Sequence, residues 1–324
     1  MAVYEVCFRA REGLPLPTRR IIKLVIDSAL ARTQRDDKVI ICDYLWMANH
    51  PHILLISQDV TALKNFYGEL KKRITDMLKR MLGLDALHLW EDKGARVMQI
   101  LDLEKAKRQL AYYFLNPVTA GLVDSIDHYP GESTWRAFCT CEPRVDAVVE
   151  TTVPWIRLPS IPALRTLTPT VGEETQVINQ IKADNKRTES FRVHPLAWLK
   201  VFGITEPDEI EAIRQEIIAL VRAGEQECRE RRQKERKQLR GAVKLLLEGI
   251  MLTGHKPAKR GRSVFFLSSI KELRIGFHAK YRDFCERCRE CYLLACRGVK
   301  DLVWPDGAFV PPILPLVNPI EVLG

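Results

Sequence analysis

The sequence lacks the long apolar runs of a membrane protein and the leader of a secreted one. No stretch approaches the ~18 consecutive apolar residues that would cross a bilayer. Its first residues, Met-Ala-Val-Tyr-Glu-Val-Cys, lack the basic start and the apolar stretch of a secretory signal. No internal repeat is visible. The first two absences argue against a transmembrane or secreted protein, and we expect a cytoplasmic protein.

The sequence also lacks a convincing disulfide or metal framework, although it contains nine cysteines. Cysteines in a cytoplasmic chain do not imply disulfides. Four lie close together: Cys285, Cys288, Cys291 and Cys296. Their spacing is near that of an iron–sulfur run, but the last interval is one residue longer and no proline follows. One helix over 275–296 is the favoured interpretation, with Tyr281, Cys285, Cys288 and Tyr292 as a buried stripe. A zinc- or iron–sulfur-binding regulator is the alternative.

Composition indicates a globular protein with an uneven distribution of charge. The 324 residues are 46% hydrophobic and 28% charged, with a net charge of +9. This length predicts two domains. We predict a first domain over 1–135, a proline-containing linker over 136–205 and a helical, basic carboxy-terminal region over 206–324.

Two basic clusters lie in the carboxy-terminal region. One covers residues 229–240 on a predicted helix, and the other covers 255–262 in a predicted loop. Phosphate backbones are common partners of such clusters. We predict phosphate contacts for four residues of the loop: Lys256, Lys259, Arg260 and Arg262. The alternative interpretation is a solvated helix face and a surface loop.

Periodicity over residues 1–135 predicts the order β-α-β-β-α-β. The predicted strands cover 3–9, 38–46, 52–56 and 96–101. The first helix starts near Pro17, and the second is capped by Asp59 or Thr61 and ends at Gly83. A further helix, capped by Asp102 and stopped by Pro117, follows the last strand. We therefore predict an α+β fold, a ferredoxin-like domain followed by a mostly helical region.

Four side chains in this first domain can support phosphoryl transfer. Strand geometry places His50 and His52 on the same side of the sheet, and helix geometry places Tyr112 and Asn116 one turn apart on one face. Two imidazoles and an amide oxygen can hold a divalent cation, and a neighbouring tyrosine can attack phosphorus. Each feature alone is weak evidence for such a site, because a His-x-His pair is more often structural and a tyrosine on a helix more often packs in the core.

The two motifs together, in this order, resemble those of the single-tyrosine HUH transposases, in particular the REP-associated tyrosine transposases. The matching residues are Met47, Asn49, His50, His52, Tyr112, Asn116, Pro117, Val118, Ala120, Gly121, Leu122 and Val123. The resemblance covers about residues 1–135. Pro51 occupies a slot that is usually aliphatic, and it requires an edge strand, a bulge or the first residue of a strand.

The resemblance implies a metal-dependent single-stranded DNA endonuclease and strand transferase. Tyr112 would form a 5′-phosphotyrosine bond, and His50, His52 and Asn116 would bind the metal. Nitrogen with neutral oxygen ligands suits magnesium or manganese. The substrate would be hairpin-bearing single-stranded DNA, and the protein a monomer or homodimer in a prokaryotic cytoplasm, associated with the nucleoid.

Two alternatives remain at this stage. Tyr113 competes as the nucleophile, but its partner four residues on is Pro117, which has no metal-binding side chain. The second alternative is a domesticated, non-catalytic nucleic-acid-binding protein, which would have no use for the histidine pair and Tyr112.

Overall fold

A five-stranded sheet lies at the centre of the structure, a computed structural model that describes residues 1–11, 16, 18–35, 38–92, 94–250 and 265–311. Over residues 1–135 the elements are β1 (Ala2–Cys7), α1 (Arg20–Arg35), β2 (Ile40–Trp46), β3 (Pro51–Ser57), α2 (Val60–Met81), β4 (Arg96–Ile100) and α3 (Leu103–Thr119). Further along are α4 (Trp135–Thr140), β5 (Val149–Pro154), α5 (Val171–Asp184), β6 (Thr188–Val193), α6 (Pro207–Glu235), α7 (Ala242–Leu246), β7 (Phe266–Leu267) and α8 (Lys271–Cys296). The predicted α+β class is confirmed.

The sheet has the strand order β2-β3-β1-β4-β7. β1 runs antiparallel to β3 and β4, and β2 runs antiparallel to β3. β7 adds a short parallel strand beside Gln99 and Ile100. Apolar residues of α1 and α2 pack with Val6 and Leu55 on one face, and those of α3 pack with Val3 and Leu54 on the other.

The register of β1 and β3 fixes the face of each side chain. Cys7 lies opposite His52, and Glu5 lies opposite Leu54. Since side chains alternate along a strand, Glu5, Cys7 and His52 share the face that α3 covers. Pro51 is the first residue of β3, one of the positions that the sequence allowed.

The helix ends follow the predicted capping residues with one exception. Asp59 caps α2, Gly83 follows it with a φ of 64°, and Asp102 caps α3. Pro117 does not stop α3, which continues to Thr119. That prediction was wrong because a proline removes only one helical hydrogen bond, and in the last turn the loss is tolerated.

Gly121 ends α3 instead. Its φ is 69°, its N–H donates to the Val118 carbonyl at 3.0 Å, and the Leu122 N–H donates to the Pro117 carbonyl at 2.9 Å. This pair of bonds is a Schellman motif, and it needs a residue that adopts positive φ readily.

Residues 136–205 contain more regular structure than their prolines indicated. β5 and β6 form a two-stranded antiparallel sheet, and Phe191 of β6 packs into the core beside α1. Trp198, in a 3-10 helix, is fully buried in the core on the α3 side of the five-stranded sheet. The prolines lie in loops, in a short 3-10 helix as Pro159 does, or at a strand end as Pro154 does, where they interrupt no central ladder. The predicted domain boundaries stay predictions.

The carboxy-terminal helices differ in how they pack. α6 packs against α3 through Ile210, Ile217 and Val221, and its basic end is largely exposed. In α8 no residue is buried, and Tyr281 and Tyr292 are 36% and 47% exposed. The predicted buried stripe is therefore wrong, because no layer of the described chain covers that face.

The cysteines form neither a disulfide nor a metal cluster in the described structure. None of the nine is part of a disulfide. Within the described ranges, no three His, Cys, Asp or Glu side chains converge as metal ligands. Four thiols spread along one helix cannot surround one ion. Among the residues described, no helix has the length and apolarity to span a bilayer.

Candidate functional site

Two histidine rings and a tyrosine ring meet where β3 faces α3. The Met47 N–H donates to the His50 carbonyl at 2.9 Å, closing the turn between β2 and β3 that carries His50. The His50 and His52 rings lie edge to face with centroids 4.9 Å apart. The Tyr112 ring meets the His52 ring edge-on at 5.7 Å. The structure thus brings the two motifs together, although 60 residues of sequence separate them.

His52 is held by a buried carboxylate that sequence reasoning missed. His52 Nδ1 lies 2.7 Å from Glu5 Oε1, and Gln109 Nε2 donates to Glu5 Oε2 at 2.9 Å. Glu5 is only 1% exposed. A carboxylate beside Nδ1 favours the tautomer with its proton on Nδ1, which leaves the Nε2 lone pair available. The signal in the sequence was an acidic residue inside an otherwise apolar strand.

Two buried nitrogen atoms, one on β3 and one on α3, have no hydrogen-bond partner among the described residues. They are His52 Nε2 and Asn116 Nδ2. A buried polar group without a partner is costly and calls for an explanation. Since the nitrogen and oxygen of an amide are assigned from the network around them, either end of the Asn116 amide can face the site. Both residues are candidates to bind a ligand.

His50 is oriented by its neighbour in the turn. Its Nδ1 lies 2.6 Å from Asn49 Oδ1, and an amide oxygen there accepts the Nδ1 proton. His50 is partly exposed, whereas His52 is buried, so the pair extends from the core towards solvent. Asn49 belongs to the first sequence motif, and this contact gives it a positioning role.

The adjacent tyrosines of α3 have opposite environments. Tyr112 is 49% exposed, whereas Tyr113 is fully buried and stacks on the His52 ring with centroids 4.9 Å apart. Burial, followed by the charge of Glu5, raises the pKa of Tyr113 well above its usual value. Raising that pKa disfavours the phenolate, so Tyr113 is a poor nucleophile as well as an inaccessible one.

The donor set suits a divalent cation. His52 offers a nitrogen lone pair with a carboxylate behind it, the arrangement in which metal-binding histidines are usually found. His50 and Asn116 would supply a second nitrogen and an amide oxygen. Magnesium and manganese accept such ligands together with water and phosphate oxygens.

The predicted DNA-binding residues cannot be placed beside this site. Lys256, Lys259, Arg260 and Arg262 lie outside the described residues. The first basic cluster, at 229–240, begins in the last turns of α6 and continues beyond its end, and Arg232 donates to the Val118 carbonyl of α3 at 3.4 Å.

Comparisons with known proteins give similarity to solved structures. No protein-family model and no curated protein matches the chain. It is similar to a solved structure of a REP-associated tyrosine transposase bound to a REP hairpin, with a TM-score of 0.36 and 18% identity. The match covers 43% of this chain and 79% of that one. Folds this distant assign no role to an individual residue.

Proposed function

We propose that this protein is a metal-dependent single-stranded DNA endonuclease and strand transferase of the tyrosine HUH class. The observation that carries the proposal is the pairing of an exposed Tyr112 with a His52 whose Nε2 is unpartnered and whose Nδ1 is held by Glu5. A purely structural histidine would have both nitrogens satisfied. A non-catalytic binder would also have no need of this tyrosine.

The architecture supports the proposal. The strand order β2-β3-β1-β4, with α1 and α2 on one face, is the arrangement expected of a β-α-β-β-α-β ferredoxin-like sandwich. The sandwich leaves the other face to α3, so the histidines of the sheet and the tyrosine of the helix face each other. The sequence motifs of residues 47–52 and 112–123 favour the same class.

His50, His52 and Asn116 would hold the cation. When bound, a divalent cation polarises the scissile phosphate and offsets the charge that develops there. Glu5 and Gln109 act as positioning residues, since they fix the ring of His52. Asn49 does the same for His50.

Tyr112 would carry the covalent step. Its hydroxyl oxygen attacks the phosphorus of a phosphodiester, the bond from phosphorus to the 3′ oxygen breaks, and the leaving 3′ oxygen takes up a proton. The tyrosine gives up its own proton, and a 5′-phosphotyrosine bond remains. The reverse attack by a 3′-hydroxyl rejoins the strand, so no nucleotide cofactor is required. From the family resemblance, we expect the substrate to be single-stranded DNA that contains a hairpin.

The test compares Tyr112→Phe with Tyr113→Phe on a labelled hairpin oligonucleotide with magnesium or manganese. Tyr112→Phe removes the attacking oxygen, so DNA binding should persist while cleavage and the covalent adduct are lost. Tyr113→Phe is the matched control, because it removes the same hydroxyl from the adjacent, fully buried tyrosine while its ring can stay stacked on His52. Adduct is measured on denaturing gels.

Two outcomes would contradict the assignment. If Tyr112→Phe forms the adduct and Tyr113→Phe does not, the nucleophile is Tyr113. If the wild type binds the hairpin but forms no adduct with either metal, the protein is a non-catalytic nucleic-acid-binding protein.

A further inference from the structure

A second feature of the molecule, outside the site described above, is a cleft between the edge of the sheet and α8. Its volume is about 870 Å³. Its floor is formed by β4 and residues of β1 and α2, and its far wall is the side of α8 that carries Phe277, Lys280, Tyr281 and Phe284. Cavities of ~300–1,000 Å³ are typical of ligand sites.

The aromatic wall of the cleft is not used for packing in the core. α8 is 26 residues long, yet none of its residues is buried. Tyr281 stacks on Phe265 with centroids 4.9 Å apart, and Phe284 lies 6.3 Å beyond Tyr281 with nearly parallel rings. Such a series of roughly parallel rings is suited to stacking with flat ligands.

The charge that lines the cleft favours an anion. Four basic residues line it, Arg9, Lys64, Arg96 and Lys280, against two acidic residues, Glu272 and Asp306. Asp306 already accepts a hydrogen bond from Thr61, and Lys64 donates to the Gly307 carbonyl. Arg9, Arg96 and Lys280 form no ion pair with any part of the described chain.

The cleft reaches the candidate catalytic site through β1. Cys7 and Arg96 line it, and they lie opposite each other in the β1–β4 ladder. On its other side, Cys7 lies opposite His52 in the β1–β3 ladder. Neighbouring strands are ~4.8 Å apart, so the cleft begins one strand away from His52.

We propose that this cleft binds the unpaired nucleotides next to the scissile phosphate. Their bases would stack on Phe277, Tyr281 and Phe284, and their phosphates would contact Arg9, Arg96 and Lys280. A row of aromatic rings with basic residues beside it is the usual way in which proteins bind single strands without reading their sequence. The inference rests on the proposed function for the identity of the ligand as DNA.

The test measures the binding of two oligonucleotides to the full chain by fluorescence anisotropy. One is a hairpin with unpaired flanks on both sides, and the other is the same hairpin without flanks. The variants are Tyr281→Ala with Phe284→Ala, and separately Lys280→Ala. The controls on the same helix are Tyr292→Ala for the aromatic pair and Arg282→Ala for the charge, since neither residue lines the cleft.

Loss of stacking costs ~1–3 kcal/mol per base, and the aromatic variant removes two rings, so it should bind the flanked hairpin at least about 30-fold more weakly. Lys280→Ala should lower the salt slope for the flanked hairpin by about one. The hairpin without flanks should bind all variants as it binds the wild type, and the controls should change neither oligonucleotide.

An equal loss of affinity for both oligonucleotides in the variants, or no loss of affinity for either, would overturn the inference. A wild-type dimer that the aromatic variant converts to a monomer, without loss of flank binding, would assign the cleft to a second copy of the chain. Adduct formation is measured separately. If it succeeds while the variants bind as the wild type does, the inference fails and the proposed function stands. If flank binding depends on the cleft but no adduct forms, the inference about the cleft stands and the proposed function fails.

Discussion

Glu5→Gln removes the negative charge behind His52 and keeps the size of the side chain. In the structure one Glu5 oxygen accepts from His52 Nδ1 and the other from Gln109 Nε2. A glutamine can keep an acceptor for only one of these donors and presents an NH₂ group to the other. We expect weaker binding of the cation, because the His52 ring is less firmly oriented and no negative charge lies behind it.

The size of the effect follows from the hydrogen bonds that change. A hydrogen bond to a charged group contributes about 1.5–3 kcal/mol and a neutral one about 0.5–1.5 kcal/mol. The difference of about 1–1.5 kcal/mol corresponds to roughly a tenfold change in affinity. Replacement of such outer partners of metal ligands typically costs about 10–100-fold. We therefore expect Mn²⁺ to bind roughly 10–100 times more weakly.

The assay is a calorimetric titration of Mn²⁺ into the wild type and the variant, with circular dichroism to verify the fold. Glu69→Gln is the matched control, since Glu69 is an acidic residue on α2 that pairs with Arg73 away from the site. Cleavage measured across a Mn²⁺ series should recover in Glu5→Gln at high metal concentration. A variant with unchanged Mn²⁺ affinity would refute the role of Glu5, and so would a cleavage defect that saturating metal does not reduce.

Three further predictions concern other parts of the chain. His52→Ala and EDTA should each abolish cleavage, whereas Asn116→Ala should do less harm because water can replace an amide ligand; full activity in EDTA would exclude a metal. Burial and then the charge of Asp27 raise the pKa of Glu132 to about 8. At neutral pH, Glu132 is therefore protonated in the folded protein and ionised in the unfolded chain. Its contribution to the free energy of unfolding is complete below about pH 4.5 and is lost as pH rises through 8. In urea unfolding from pH 5 to 9, the free energy of unfolding should therefore decline less in Glu132→Gln than in the wild type. Alanine at the four predicted phosphate contacts of the basic loop, Lys256, Lys259, Arg260 and Arg262, should lower the salt slope of hairpin binding by about one per residue, and an unchanged slope would leave the loop as solvated surface.

The alternation and capping signals were sufficient to predict the four strands and three helices between residues 2 and 119, but not the 3-10 helix at Ile126–His128 or the start of α4. Local rules worked because each element carries its own periodicity and its own cap, as Asp59 and Asp102 do. The end of α3 was missed because Pro117 and Gly121 are both residues that can end a helix. The helix continues through Pro117 and ends at Gly121, which adopts a positive φ.

Long-range contacts account for what the sequence could not predict. The hydrogen bond between Glu5 and His52 joins residues 47 positions apart, and no local pattern links them. The burial of α8 was mispredicted for a related reason. Its period places aromatic and sulfur side chains on one side, but whether another layer covers that side depends on the rest of the fold.

The pairing of Asp102 with Ser269 has a consequence for the order in which the molecule assembles. The Ser269 N–H and hydroxyl donate to the Asp102 carboxylate at 2.8 and 2.7 Å, and they join residues 167 positions apart. At ~5–20 residues per second, a ribosome needs about 8–33 s to travel that distance. During this interval the outer edge of β4 has no strand beside it, and the cleft has no outer wall. The sheet and α3, which carry the proposed site, can therefore form well before the surface that we assign to the single strand.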